Sequence, residues 1–248
     1  VIARSGKEIR ALAEGGKILG RILQEVAAAV VPGISTLELD ALAQRRIREE
    51  GAEPSFLGYQ GFPNALCTSV NAAVVHGLPR EEDRLREGDL VGLDLGIRYA
   101  GFFTDAAVTV PVGSVSPEAR RLLDVTRVAL ARGITAAVVG GTIGDIGAAV
   151  QQHVEGQGFG VVRQLVGHGV GKAVHEDPPV PNFGTPGAGP MLASGQVFAI
   201  EPMVTVGDPA VVTAADGWTV MTKDRSLAAH FEHTVVLGSS GPRILTVS

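Results

Sequence analysis

The sequence predicts a mixed helix-and-sheet fold assembled from two similar units, each with two helices followed by strands. Three observations carry that expectation. Helical periodicity comes in pairs, over 7–30 and about 36–50, and again over 117–139 and 144–156. Apolar runs of strand length follow each pair. Finally, Leu85–Asp94 returns in outline, shifted by 107 residues, as Leu192–Glu201, and the shift carries the acid at 94 onto the acid at 201. The halves, near 1–113 and 114–248, are expected to be related by a pseudo-two-fold axis, as a single domain spanning 1–248.

In chain order, Ile9, Leu12, Ala13, Ile18, Leu19, Ile22, Leu23 and Val26 recur at helical spacing, and Pro32-Gly33 ends the first helix. Ser35 stands three residues before Glu38 and predicts a capping box for the second helix, which stops at Gly51. Phe56–Pro63 is expected to be an aromatic loop, and Ala65–Val75 a strand with a turn near Asn71, closed by His76-Gly77-Leu78-Pro79. Leu90–Ile97 and Gly101–Asp105 form a hairpin. A turn centred on Tyr99-Ala100 would pair 98 with 101 and so place Asp94 opposite Asp105, about 5 Å apart on one face. In the second half, Gly160–Val166 reads as a strand leading to His168-Gly169, much as His76-Gly77 follows a strand in the first. Asp216-Gly217 is a favoured two-residue turn. Counting outward from it pairs Glu201 with Glu232, although Pro202 and Pro209 interrupt the ladder.

Composition narrows the function classes. With 248 residues, 45% of them hydrophobic, the chain can bury a large core as one α/β or α+β domain or as two small ones. A net charge of −5 leaves no nucleic-acid footprint. One cysteine, Cys67, allows no internal disulfide, which fits a reducing compartment. No apolar run is long enough to span a membrane. The start, Val1-Ile2-Ala3-Arg4-Ser5, carries no apolar signal core and no initiator Met, as expected of a trimmed or processed record.

The chemistry lies in five residues: Asp94, Asp105, His168, Glu201 and Glu232. Three of the acids sit inside or at the mouth of apolar strand-like runs, and a buried carboxylate needs a proton, a hydrogen-bond partner or a cation. Four carboxylates and a neutral imidazole carry a charge of about −4, which two divalent cations cancel. An oxygen-rich set with one imidazole suits Mn, Fe or Co, with Zn possible, and a metal pair can activate water for amide hydrolysis. The glycines of Gly167-His168-Gly169-Val170-Gly171 point to a backbone that runs close to a ligand.

These residues, in this order, resemble the type I methionine aminopeptidases of the pita-bread fold. The resemblance covers essentially the whole chain and rests on Asn71 to His76-Gly77, the Asp94/Asp105 hairpin, Gly167-His168-Gly169 with His175, Ile200-Glu201-Pro202-Met203, Asp216-Gly217-Trp218-Thr219, Thr222-Lys223-Asp224, and Phe231-Glu232-His233-Thr234. It implies an α+β fold in which two pseudo-two-fold-related halves pack helices on a curved antiparallel sheet. It implies two divalent metal ions (Co, Mn, Fe(II) or Zn), with Asp105 and Glu232 bridging both, Asp94 completing one site, and His168 and Glu201 the other. Glu201 would also be the general base on the bridging water. His76 and His175 would bind the scissile amide, and Tyr59, Phe62, Cys67 and Trp218 would line the methionine pocket. The implied activity is removal of the N-terminal methionine from nascent polypeptides in the cytoplasm. Ribosome docking and oligomeric state stay open, with nothing demanding more than a monomer. Relatives that cleave before proline usually carry an extra amino-terminal domain, for which this length leaves no room; a non-catalytic peptide-binding member would be expected to have lost ligands.

Several positions depart from the family pattern: Val174, Leu165, Ala72, Gly96 and Ala106 replace residues that are usually aromatic, acidic or hydroxyl-bearing. The expected consequence is a pocket wider beside Val174 and altered tuning of the ligands. His153 is given no role, His230 and His233 are expected to be bland sheet-edge positions, and Lys223-Asp224-Arg225 is expected to be a solvated turn.

Overall fold

The computed structural model describes residues 4–247, so Val1-Ile2-Ala3 of the amino-terminal reading lie outside the described residues. Four helices form as the periodicity predicts: α1 (Gly6–Ala28), α2 (Thr36–Glu49), α3 (Pro117–Ala136) and α4 (Ile143–Gly156). Their starts are set by side chains that satisfy the free N–H groups of the first turn. Ser5 with Glu8 and Ser35 with Glu38 make capping boxes, and Ser116 caps α3 with Pro117 at the first helical position.

The strands of the first half are β1 (Glu53–Pro54), β2 (Leu66–Val70), β3 (Ala73–Val75), β4 (Leu90–Tyr99) and β5 (Phe102–Pro111). Those of the second are β6 (Gly160–Val161), β7 (Gly167–Gly169), β8 (Glu176–Val180), β9 (Val197–Ile200), β10 (Met203–Thr205), β11 (Val211–Thr213), β12 (Val220–Thr222), β13 (Ala228–His230), β14 (Glu232–Gly238) and β15 (Gly241–Ile244). Among the described residues, nine strands form one curled antiparallel sheet whose main path is β1-β4-β5-β14-β9-β7-β8, with β2 beside β4 and β15 beside β14. Two three-stranded sheets, β13-β10-β6 and β11-β12-β3, complete the α+β architecture. Leu19, Ile22 and Val26 of α1 and Leu39 and Ile47 of α2 bury against Leu93, Leu95 and Ile97 of β4. Leu130, Ile134, Ile143 and Ile146 of α3 and α4 bury against Phe198, Ile200 and Val235. Each helix pair thus covers its own half of the sheet. Gly16 lets α1 lie against the chain end, where an added Cβ would stand 2.4 Å from the Leu245 carbonyl oxygen.

A shift of 107 residues also recurs in the hydrogen bonding. Isolated bridges join Ser35 to Arg84 and Thr142 to Met191, and Gly33 N–H donates to Leu85 O as Gly140 N–H donates to Leu192 O. The histidine echo does not follow the same shift. Ser69 faces Gly92 on β4, whereas His168 faces Ala199 on β9, so Ser69 holds the place of His168. His76 lies at the end of β3, in a different sheet.

Two registers differ in how they follow the sequence. The β4–β5 turn falls on Ala100-Gly101, not Tyr99-Ala100, because both turn residues need positive φ and Gly101 takes that conformation without strain (φ 48° and 82°). Tyr99 therefore faces Phe102, Gly96 faces Asp105 and Asp94 faces Ala107, which leaves the two acids offset diagonally on one face. The ladder around Asp216-Gly217 follows the simple count: β11–β12, β10–β13 and β9–β14 all lie in the register that sets Glu201 across from Glu232. The expected strand over Gly160–Val166 forms only at Gly160–Val161, and the chain resumes pairing at Gly167.

Candidate metal centre

The middle strands of the large sheet carry the acids. Asp94 projects from β4, Asp105 from β5 and Glu232 from the start of β14, while Glu201 follows β9. His168 comes from β7, which pairs with β9. The flanking glycines answer to neighbouring strands, not to a ligand: a Cβ on Gly167 would lie 2.4 Å from Ala199 O, and one on Gly169 2.4 Å from Asp177 O. All five side chains meet on the floor of a cavity of about 310 Å³, at the small end for ligand pockets. Donor atoms of Asp105, His168 and Glu232 all lie within 4.8 Å of one another. His168 Nε2 stands 3.5 Å from Glu201 Oε1 and 4.0 Å from Asp105 Oδ2.

The floor lacks internal compensation. Asp94 Oδ1, Asp105 Oδ1 and Glu232 Oε1 are buried without a hydrogen-bond partner among the described residues. Burial pushes Asp105 up to about 7, and burial together with the neighbouring acids pushes Asp94, Glu201 and Glu232 well above the carboxylate range. His168 Nδ1 lies 2.9 Å from the carbonyl oxygen of Gly169, which can only accept, so Nδ1 carries the proton and the Nε2 lone pair faces the acids. Burial and the nearby His175 hold this imidazole down at about 4, and so neutral at physiological pH. Orphaned oxygens beside a lone-pair nitrogen, with no guanidinium or ammonium among the cavity's lining residues, fit a divalent cation.

The wall above the floor is apolar. Phe62 packs edge-on to Trp218 with ring centroids 5.2 Å apart, and Cys67 lies directly across from Asp94 on β2. Burial raises the Cys67 thiol well above its ordinary value, which keeps it an unreactive wall. Tyr59, His76 and His175 complete the lining, with His76 and His175 at the exposed mouth. His76 takes a left-handed backbone (φ 57°), a conformation costly for a residue other than glycine. Val174 is buried and packs against the wall residues Phe56, Phe62 and Cys67. Gly96 makes room for this packing, since a Cβ there would fall 2.2 Å from Ser55 Oγ and 2.8 Å from the Phe56 ring.

One residue of the site is missed by sequence reasoning. His230 lies on the edge strand β13, as expected, but it is not bland: it is 3% exposed, and its Nε2 has no hydrogen-bond partner while facing Glu201 Oε2 at 3.7 Å and Glu232 Oε2 at 3.9 Å. The available signal was its place two residues before Glu232, which sets both on one face of an extended chain. His233 points the other way and bonds Thr246 Oγ1 at 2.8 Å. Phe56, Leu165 and Met203 also line the cavity. Lys223-Asp224-Arg225 is a turn, as expected, with Asp224 accepting from the backbone of Asp208 and Ser226.

A curled sheet with paired helices behind it and an acid-and-imidazole floor in front defines a metallohydrolase class of protein. The model of metallopeptidase family M24 matches residues 10–239. The methionine aminopeptidase of Clostridium acetobutylicum is 47% identical over all of this chain and 99% of its own length. The crystal structure of the methionine aminopeptidase from Thermotoga maritima superposes with a TM-score of 0.99 at 42% identity, covering 100% of both chains. A prolidase from Pyrococcus furiosus, at 23% identity and a TM-score of 0.81, shares the fold, with 66% of its chain covered. The chain therefore belongs to metallopeptidase family M24, and within it to the methionine aminopeptidases.

Proposed function

We propose that this protein removes the N-terminal methionine from nascent proteins and peptides by metal-dependent hydrolysis. The observation that carries the proposal is the cavity: an apolar wall that ends on three buried carboxylates, each with an unpartnered oxygen, beside the half-buried Glu201 and an imidazole. Relatives at 41–49% identity over the full length share the name methionine aminopeptidase. Asp105 and Glu232 would reach both of two divalent ions, Asp94 would complete one position, and His168 with Glu201 the other. Co, Mn, Fe(II) and Zn all suit that donor set. Such ions, when bound, supply Lewis-acid charge and lower the pKa of water.

The chain's own groups do the remaining work. Glu201 takes a proton from the attacking water and returns it to the leaving amine. His76 and His175, at the mouth, donate hydrogen bonds to the scissile carbonyl oxygen as negative charge develops on it. Tyr59, Phe62, Cys67 and Trp218 hold the thioether side chain through apolar and sulfur–aromatic contact. The proposal sets the enzyme in the cytoplasm, as a monomer acting on chains near the ribosome. The single unpaired cysteine, and the absence among the described residues of any helix long and apolar enough to cross a membrane, support that setting. We also infer that the one catalytic domain, 1–248, is a duplicated unit with halves near 1–113 and 114–248, supported by the repeated bridges at 35–84 and 142–191.

The test is a release assay on the peptides Met-Ala-Ser and Ala-Pro-Ser, with metal-stripped protein given Mn, Co, Fe(II) or Zn in turn. Methionine release that depends on added metal is the expected result. Cleavage only before proline, or no turnover with any ion, refutes the proposal.

A further inference from the structure

Tyr59 and His175 meet across the mouth of the cavity. The phenol oxygen lies 2.9 Å from His175 Nδ1, with the rings tilted at 48° and their centroids 5.3 Å apart. Neither side chain has another hydrogen-bond partner among the described residues. The two arrive from separate parts of the chain, Tyr59 from the loop before β2 and His175 from the loop between β7 and β8.

The loop that carries Tyr59 is built to place it. φ is positive at Gly58 (82°), Gln60 (49°) and Gly61 (91°). The segment is closed by Gly58 N–H donating to Phe62 O at 2.8 Å and Phe62 N–H donating to Tyr59 O at 2.9 Å. Glycine accepts such a backbone readily, but Gln60 does not, and strain of this kind persists where the surroundings impose it.

The direction of the Tyr59–His175 bond has a chemical consequence. A phenol, with a pKa of about 10, is a far stronger acid than the N–H of a neutral imidazole, and a bare imidazole nitrogen is the better acceptor. The phenol therefore donates, Nδ1 accepts, and the proton of His175 resides on Nε2. The adjacent imidazole is set the opposite way. His168, whose ring stands edge-on to His175 at 4.3 Å, meets a carbonyl at Nδ1 and so keeps its proton there. One ring thus offers the site a lone pair and the other an N–H, and in each case the partner of Nδ1 decides which.

We propose that Tyr59 is a positioning residue for His175, holding it in the Nε2–H tautomer so that it faces the substrate as a hydrogen-bond donor. Its effect on turnover rests on the role given to His175 above; the tautomer itself does not. The experiment compares wild-type and Tyr59→Phe protein, both loaded with diamagnetic Zn²⁺, by two-bond ¹H–¹⁵N spectra of the histidine rings, with His175→Gln assigning the signals. Wild type is expected to show His175 protonated at Nε2 and bare at Nδ1, and Tyr59→Phe a mixture of tautomers. Methionine release from Met-Ala-Ser is then expected to fall about tenfold in kcat, with KM changed much less because the ring still lines the wall. A wild-type His175 protonated at Nδ1, or a tautomer unchanged in Tyr59→Phe, overturns the proposal. A changed tautomer with unchanged kcat overturns instead the donor role of His175. Both variants are checked for an unchanged melting temperature, and Tyr59→Leu, which has no hydrogen-bond donor in its side chain, must reproduce the tautomer change.

Discussion

Two places in this molecule bury carboxylates, and they resolve the cost of burial in opposite ways. At the junction of α2 and β2, Asp40 is 2% exposed and fully provided for: Oδ1 accepts from the Ala65 and Leu66 N–H groups, and Oδ2 from Asn64 and Gln44, all at 2.9 Å. On the cavity floor, Asp94, Asp105 and Glu232 are buried as deeply, yet each keeps an oxygen with no donor. The first arrangement ties a helix to a strand. The second leaves carboxyl oxygens without donors, so that the acids hold protons unless a cation takes the place of those protons. Burial alone does not mark function; the supply of donors does.

The comparison breaks most sharply at the floor. Asp105→Ala or Glu232→Ala is expected to lower metal-dependent methionine release by on the order of a thousandfold or more while the protein stays folded. The methionine-release assay and circular dichroism check the two halves of that statement; normal turnover in either variant would mean the metal assignment is wrong. Asp40→Ala is expected to do the reverse, losing about 3 kcal/mol of stability because four donors are stranded, with activity per folded molecule retained. Urea unfolding measures it, and a loss below the error of the extrapolation would show that the junction is held by packing alone.

Metal removal should make stability depend on pH. The folded-state pKa values of Asp94, Glu201 and Glu232 lie well above their unfolded values, so the folded state retains protons that the unfolded chain has released. Their stabilising effect is complete at low pH and is lost as pH rises through the folded values. Below about 6.5 the histidines oppose this slope, because their folded pKa values are lowered and the unfolded chain binds protons first. Above that point the carboxylates set the slope, joined at alkaline pH by the Cys67 thiol, whose folded pKa is also raised. The metal-free protein should therefore lose about 1.4 kcal/mol per pH unit for each carboxyl still protonated in the folded state, and the metal-loaded protein should not. Melting curves of both forms from neutral to alkaline pH check it. The smallest effect is expected at His230, whose unpartnered Nε2 faces Glu201 and Glu232: His230→Leu should weaken Mn²⁺ binding about tenfold without unfolding the protein.

Much of the fold was legible because its signals are local. Apolar spacing located all four helices, and Ser35 with Glu38 capped α2 as read. The ladder around Asp216-Gly217 kept its count across both prolines, so Glu201 and Glu232 face each other as counting implied. The β4–β5 register was also within reach, since Gly101 is the residue of that turn suited to positive φ.

The sequence by itself determined which residues are available: two helix pairs, an acid on each long strand run, and a histidine between glycines. Only the tertiary structure decided their partners. It set Ser69, not His76, in the place equivalent to His168, turned His230 of the edge strand β13 toward Glu201 and Glu232, and packed Val174 against Phe56, Phe62 and Cys67. It also gave Nδ1 of His175 a phenol from a distant loop, while Nδ1 of His168 meets the carbonyl of the next residue, so that two neighbouring imidazoles carry their protons on opposite nitrogens. Periodicity and capping act over a few residues and are written in order along the chain. Which group meets Nδ1 of His175, or which acids share the cavity floor, depends on segments far apart along the chain, and only the curled sheet brings them together.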